Sequence, residues 1–373
     1  MTLRRMMLSL LAPLAALVFS VLVASLALLL ADRNPVTAFT EMAEFSASLA
    51  SFVSILNRAV PLFLSGLAVA IGFKMGLFNI GVEGQYLLAA VLAAALGAEL
   101  GLWAPLHVAV IVVVAMVVGA LWAGIAGALK VRRGVHEVIS TIMLNFIAVG
   151  VVAYLLSNYL REVEPGDLII KTAELPSSGR FPSLNPVLVW LGFGIPGGSD
   201  LQGFVLIALL VGVFYYLVVW RTRFGYELRA SGINPGAAEA SGINPRAMVV
   251  KTMLISGAFA GLVGMSPLLG FFHRYTQDFP TQLGFTGIAV ALLGRNHPVG
   301  IAFGALLFGL MDRSAQILDL RDIPKEIVTI IQGVVVLAVV VAYEVVTRLV
   351  HELEVKAAAE AIGEAGVAQE AAA

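Results

Sequence analysis

Ten apolar stretches, each near the length needed to cross a bilayer, take up most of this 373-residue chain. They run approximately over 6–31, 59–73, 81–100, 104–129, 138–158, 201–220, 247–270, 285–294, 298–312 and 325–347. Inside lipid every backbone N–H and C=O needs an internal partner, and for segments of this length that means helices. The expected fold is therefore all-α, a polytopic transmembrane helical bundle of about ten segments. The stretches 59–73, 285–294 and 298–312 are short, and are expected to be broken or tilted. Composition agrees: 13% of residues are charged and the mean hydropathy is +0.95, where soluble domains carry about 25% charge. A net charge of −1 gives no basis for nucleic-acid binding. The absence of cysteine excludes disulfides, thiolate metal sites and cysteine nucleophiles.

Lys and Arg set the expected orientation, because they favour cytoplasmic loops. Ten crossings with both termini inside put 14 of the 23 basic residues on the cytoplasmic side, including the clusters Lys130–Arg133 and Arg221–Arg229. The run Met6–Ala31 exceeds the 7–15-residue core of a signal peptide and is expected as a retained first span. The expected organisation is one permease domain over 1–350, with an extracytoplasmic loop at 158–200 and a cytoplasmic loop at 221–246. The Ala/Glu-rich tail 351–373 is expected in the cytoplasm. A further surface helix is expected within Asp32–Arg58 (EMAEFSASLASFVSIL). Glycines four apart, at 72/76, 97/101, 257/261 and 300/304, suggest close helix packing.

The cytoplasmic loop repeats the pentapeptide SGINP at Ser231–Pro235 and Ser241–Pro245. In each copy Gly suits the left-handed position past a helix end, Asn the cap of the next helix and Pro its first position. The intervening Gly236–Ala240 leaves room for about two turns, a short helix suited to docking another protein.

Polar residues interrupt two apolar runs. GFKMGLFNIGVEGQ holds Asn79, Glu83 and Gln85; if this stretch is helical, Asn79 and Glu83 share a face. Glu137, Thr141 and Asn145 form a stripe at i, i+4 and i+8 on the next polar span. A charge at mid-membrane costs about 2.5–3.5 kcal/mol even on the lenient insertion scale, so Glu83 is expected to face the bundle interior, a polar cavity or the interface. Asn79, Glu83, Gln85, Thr141 and Asn145 are candidates for a solute path. Hinge formation and helix–helix hydrogen bonding remain open as their alternative roles. His297 beside Pro298 reads as a turn residue, Asp312, Arg313 and Gln316 as an interfacial cluster. No second histidine stands at metal-ligand spacing from His297, and neither G-x-x-x-x-G-K-[ST] nor G-x-S-x-G occurs. Hence no catalytic residue, metal or resident cofactor is expected.

Five segments in one order, GLFNIGVEGQ, GVHEVISTIMLN, NPGAAEASGI, SGAFAGLVG and GFTGIAVALLGRNHPVGI, resemble the permease subunits of bacterial ABC importers for simple sugars, nucleosides and branched-chain amino acids. The GVEGQ and EVISTIMLN forms are most similar to the nucleoside/simple-sugar branch, and the similarity spans roughly Pro61 to Val340. The resemblance implies a type II importer fold in the bacterial cytoplasmic membrane. It also implies a cytoplasmic ATPase that binds ATP-Mg, an extracytoplasmic solute-binding lipoprotein and a second, homologous permease chain. Carried over, Ala237, Ala238, Glu239 and Gly242, capped by Asn234, match the family's ATPase-coupling element, although its spacing departs from the better-known form. The expected function is passage of a nucleoside or related simple sugar driven by ATP hydrolysis in the partner. A branched-chain amino acid or another small polar solute is the alternative, and an ATP-independent secondary transporter the rival.

Overall fold

The computed structural model describes residues 18–339, apart from positions 20, 27 and 31 and the stretches 164–168, 193–199 and 320–326, with isolated positions up to 348. The first seventeen residues and the tail 351–373 lie outside the described residues, as do the expectations attached to them. The chain divides into two units. One comprises Met1–Met42 and Leu318–Ala373; its described helices are α1 (Val21–Leu30), most of α2 (Pro35–Ser46) and the segment Ile327–Val339. The other, Ala43–Ile317, carries every candidate residue named above.

Within the larger unit the helices are α3 (Leu49–Lys74), α4 (Val82–Glu99), α5 (Ala104–Arg133), α6 (Glu137–Asn158), the short α7 (Asn185–Trp190), α8 (Phe204–Arg221), α9 (Arg223–Ile233) and α10 (Pro235–Ala240). After these come α11 (Pro245–Gly261), prolonged by α12 (Met265–Pro267) and a π-helical turn at Leu268–Phe272, then α13 (Leu283–Leu293) and α14 (Pro298–Asp319). Among the described residues seven helices are long and apolar enough to cross a membrane, and no β-strand occurs beyond two isolated bridges. The protein is an all-α polytopic bundle.

Each expected apolar stretch contains a helix, but two that looked short are full length. The stretch 59–73 belongs to the 26-residue α3 and 298–312 to the 22-residue α14. The surface helix expected over EMAEFSASLASFVSIL is instead cut at Ala47–Ser48, where the Ser48 hydroxyl accepts the Ser51 N–H at 3.1 Å and caps α3. Its second half is thereby given to the span. Only α13, with 11 residues, is as short as its apolar run.

Two of the four glycine pairs act as packing surfaces. Gly257 and Gly261 let α11 lie against Gly119 and Ala115 of α5, where a Cβ on any of the three glycines would run into the facing backbone. Gly300 and Gly304 seat α14 against Gly294 and Val290 in the α13–α14 hairpin. The other pairs fail because one member lies outside a helix: Gly76 is left-handed (φ 70°) past the end of α3, and Gly101 faces open space.

At one end of this unit the basic clusters come together. Lys74 Nζ stands 5.2 Å from the Trp220 ring, which in turn lies 5.4 Å from the His297 ring. The C-terminus of α5, the arm α8–α11 and the turn before α14 all meet there. At the opposite end the described part of loop 158–203 is stitched to residues 269–277. Thr172 N–H donates to the Tyr275 carbonyl (2.9 Å), Leu175 N–H to that of His273 (2.7 Å), and Phe181 N–H to that of Leu269 (2.9 Å). There Glu174 holds Arg180 and Arg274, each at 2.7 Å. His273 is half-buried, and the loss of solvent, with Arg180 nearby, lowers its pKa below the usual imidazole value.

Candidate functional site: a seam of broken spans and an exposed arm

Two helix starts are closed by side chains of other spans: that of α4, which is buried, and that of α13, whose cap residue Gln282 is exposed while Gly284 is buried. After α3 ends, the chain turns back at Gly76 and re-enters as non-helical backbone through Asn79–Gly81 before α4 starts at Val82. Asn79 and Glu83 therefore do not share a helical face, as a continuous helix would have given. A helix start leaves orphan N–H groups that cannot be solvated here. Gly81, at the N-cap, has no side chain to meet them. Asn145, eight residues and so about 12 Å up α6, supplies the missing acceptor: its Oδ1 takes the Gly84 N–H at 2.9 Å, and its Nδ2 donates to the Ile80 carbonyl at 2.8 Å. Gly84 is required by this approach, since a Cβ would stand 2.7 Å from that of Ala148.

The second such start is that of α13. Gln282, at its N-cap, is left-handed (φ 66°) and makes no side-chain cap. Glu83 caps α13 from another span: Oε1 accepts the Gln282 N–H at 2.6 Å and Oε2 the Gly284 N–H at 2.8 Å. The Tyr86 hydroxyl lies 3.0 Å from Oε1 and 2.9 Å from the Pro280 carbonyl. A carboxylate at a helix N-terminus meets both unpaired N–H groups and the positive end of the dipole, which reconciles Glu83 with its 6% exposure.

On the third side of this turn, Asn79 Nδ2 donates to Gln85 Oε1 (3.0 Å) and Ser256 Oγ (2.8 Å), and Gln85 Nε2 returns a bond to Asn79 Oδ1 (2.9 Å). Ser256 passes its proton on to the Ala68 carbonyl at 2.6 Å, tying α11 to α3. So four of the five residues read from the sequence, Asn79, Glu83, Gln85 and Asn145, converge on the first turn of α4. Thr141 is fully buried but turns its hydroxyl to the Glu137 carbonyl of its own helix, at 2.7 Å. Glu137 lies lower on the stripe and pairs with Lys130. Sequence reasoning missed Tyr86, Ser256, Gln282 and Gly284. Tyr86 could have been found as the residue three beyond Glu83 on one helix face; the other three join from about 170 to 200 positions away, and although Ser256 and Gly284 open two of the segments quoted above, nothing local ties them to α4.

The second region of interest is the arm. Asn234 Oδ1 accepts the Ala237 N–H at 3.0 Å, Pro235 occupies the first helical position, and the six-residue α10 ends at Gly242 in the left-handed region (φ 80°). Asn244 repeats the cap for α11, again at 3.0 Å. Of the candidates here only Ala238 is buried, at 3%; Asn234, Ala237, Glu239 and Gly242 are exposed. Beside them Ile233 is 86% exposed. The arm also holds α9, an 11-residue helix that runs into the first SGINP copy and whose start is capped by Thr222 Oγ1 accepting from Gly225 N–H at 3.1 Å. Among the described residues no group of three or more His, Cys, Asp or Glu could hold a metal ion.

Residues 51–340 match the family described as the branched-chain amino acid transport system permease component. Three curated relatives are similar over most of their length. The guanosine ABC transporter permease protein NupP of Bacillus subtilis (strain 168) is 36% identical over 294 residues, 78% of this chain and 81% of NupP. The glucose ABC transporter permease protein TsgB13 of Haloferax volcanii is 33% identical, with coverage of 87% and 85%. The nucleoside ABC transporter permease protein NupB of Lactococcus lactis subsp. cremoris is 31% identical, with coverage of 93% and 95%. With helical spans, helix starts closed by other spans and an exposed capped arm already in place, these matches show that the chain belongs to the permease-component family of branched-chain amino acid transport systems.

Proposed function

We propose that this chain is half of the membrane pathway of an ATP-driven importer for a nucleoside or a related sugar-containing solute. The observation that carries the reading is the likeness to guanosine and nucleoside permeases over most of the chain. The glucose permease at 33% identity keeps a simple sugar as the second reading. A cytoplasmic ATPase, binding ATP-Mg, grips α10 through Asn234, Ala237, Ala238, Glu239 and Gly242. The exposure of this capped stub and of Ile233 beside it supports that role. The basic end of the bundle then faces the cytoplasm of a bacterium, consistent with the positive-inside rule, together with both termini. The stitched outer loop meets a solute-binding lipoprotein, and a second permease chain completes the pathway.

The solute path follows the seam built by Asn79, Glu83, Gln85, Thr141 and Asn145. Solute sites in transporters favour places where interrupted helices meet near the midplane, and two such starts meet here. In the conformation described, these polar groups are matched to one another and to backbone. They accept solute when the arm moves α11, which carries Ser256, away from α4 and frees the Asn79 and Gln85 amides. No bond is made or broken in this subunit.

The test is reconstitution with the cognate ATPase and binding protein in vesicles. Glu239→Arg and Gly242→Phe are expected to leave insertion intact and cut ATP-dependent uptake at least tenfold while ATPase activity persists. Unchanged coupled uptake in both variants ends the coupling assignment, and uptake by the chain alone without ATP supports a secondary transporter. Guanosine and glucose titrated onto the binding protein decide the solute class; affinity for neither overturns both substrate readings.

A further inference from the structure

A cleft of about 700 Å³ opens at the end of the bundle that carries α10. Its walls come from the turn after α3 (Met75–Leu77), the C-terminus of α5, the α9–α10 junction and the first residues of α11. Three basic side chains line it, Lys130, Arg132 and Arg246, and no acidic residue does. Lys130 is engaged by Glu137. Arg132 and Arg246, on different helices, have no acidic partner among the described residues. The wall also contains Ser231, only 2% exposed, whose hydroxyl has no hydrogen-bond partner. The start of the 17-residue α11 adds its positive dipole end beside Arg246.

Two exposed guanidinium groups, a buried hydroxyl and a helix start face one cleft, an arrangement that suits an anion. Guanidinium forks match phosphate oxygens bidentately. The arginines sit where α5 ends and α11 begins, at the ends of two apolar spans, and basic pockets between span ends accept anionic headgroups. The volume exceeds that of a bare phosphate and suits one carrying a small polar substituent. We propose that this cleft is a binding site for a phosphate group, held between Arg132 and Arg246, with Lys130 and Ser231 in the wall behind it. A ligand bridging these two arginines fastens the α9–α11 arm to α5, so its occupancy opposes movement of the arm. The site is independent of which solute is carried.

Two sources share this chemistry, the headgroup of an anionic phospholipid and a free phosphate in the cytoplasm. The experiment uses the purified full chain in nanodiscs of phosphatidylcholine, titrated either with short-chain phosphatidylglycerol or with inorganic phosphate. Wild type is compared with Arg132→Gln/Arg246→Gln and with Arg133→Gln, a neighbouring exposed arginine outside the cleft. The double variant is expected to bind at least tenfold more weakly while Arg133→Gln binds as wild type. Loss confined to phosphatidylglycerol assigns a lipid headgroup, and loss of both probes assigns phosphate in either form. Equal binding by all three proteins overturns the site, as does an equal loss from Arg133→Gln, which marks general surface charge. Heat unfolding without ligand checks that the double variant is folded; if it is not, Arg246→Lys, which keeps the charge and removes the fork, is expected to bind several-fold more weakly, and unaltered binding overturns the proposal. Binding that vanishes once the ATPase is assembled also overturns it.

Discussion

The two SGINP copies, ten residues apart, are the same five residues folded into different structures. In the first, Ser231, Gly232 and Ile233 are the last turn of α9; in the second, Ser241, Gly242 and Ile243 follow the end of α10, with Gly242 left-handed. Only the Asn-Pro halves behave alike, each Asn capping and each Pro opening a helix. Tertiary contact makes the difference. Gly232 is pressed against the turn after α3, where a Cβ would stand 2.7 Å from the Lys74 carbonyl oxygen and 2.7 Å from the Met75 Cα, whereas nothing lies within 4 Å of Gly242. Identical local propensity was overridden where the backbone of another segment approached, and prevailed where solvent was the only neighbour.

The sharpest way to break this comparison is Gly→Ala at each copy. Gly232→Ala forces backbone atoms apart and is expected to cost about 1–3 kcal/mol, as overpacking does. Gly242→Ala has space but an unfavourable φ, and is expected to cost about 1 kcal/mol. Apparent heat-unfolding midpoints in detergent should fall further for the first, and the reverse order refutes the packing account. Next come the caps. Asn234→Ala and Asn244→Ala should each cost about 1 kcal/mol, alike because the bonds are alike at 3.0 Å; a clear inequality in the same assay would mean the shared half is not shared. The smallest expected effect differs in sign. Ser231→Ala removes a buried hydroxyl without a partner and should leave the protein as stable or more stable. Ser241→Ala loses only an exposed bond to the Ala237 carbonyl (2.9 Å) and should cost under about 0.5 kcal/mol. A clear loss of stability from Ser231→Ala shows that the hydroxyl has a partner after all.

Legibility in the sequence followed the same division. Long apolar runs announced the bundle because hydrocarbon imposes a length that propensity cannot evade. The α10 caps were readable since Asn and Pro act within three residues of themselves. What hid was long-range. The true start of α3 lay beneath polar residues that the hydropathy pattern assigned to a surface helix, and Ser48 decided the break. Asn79 seemed to precede Glu83 on one face because periodicity cannot reveal that Asn79–Gly81 is re-entrant backbone. That Glu83, Gln85 and Asn145 face the interior was deducible from the cost of polar groups in lipid; that Glu83 closes the start of α13 depends on Gln282 and Gly284, about 200 positions on.

That last arrangement bears on how the molecule is assembled during synthesis. The opening turn of α4 waits for Asn145, made 61 residues after Gly84, and Glu83 waits for backbone made 199 and 201 residues after it. A ribosome feeding spans one by one into the membrane must therefore release α4 with an unanswered carboxylate. The finished interior can form only once the α13–α14 hairpin has been threaded in, which makes that late hairpin the keystone of biogenesis.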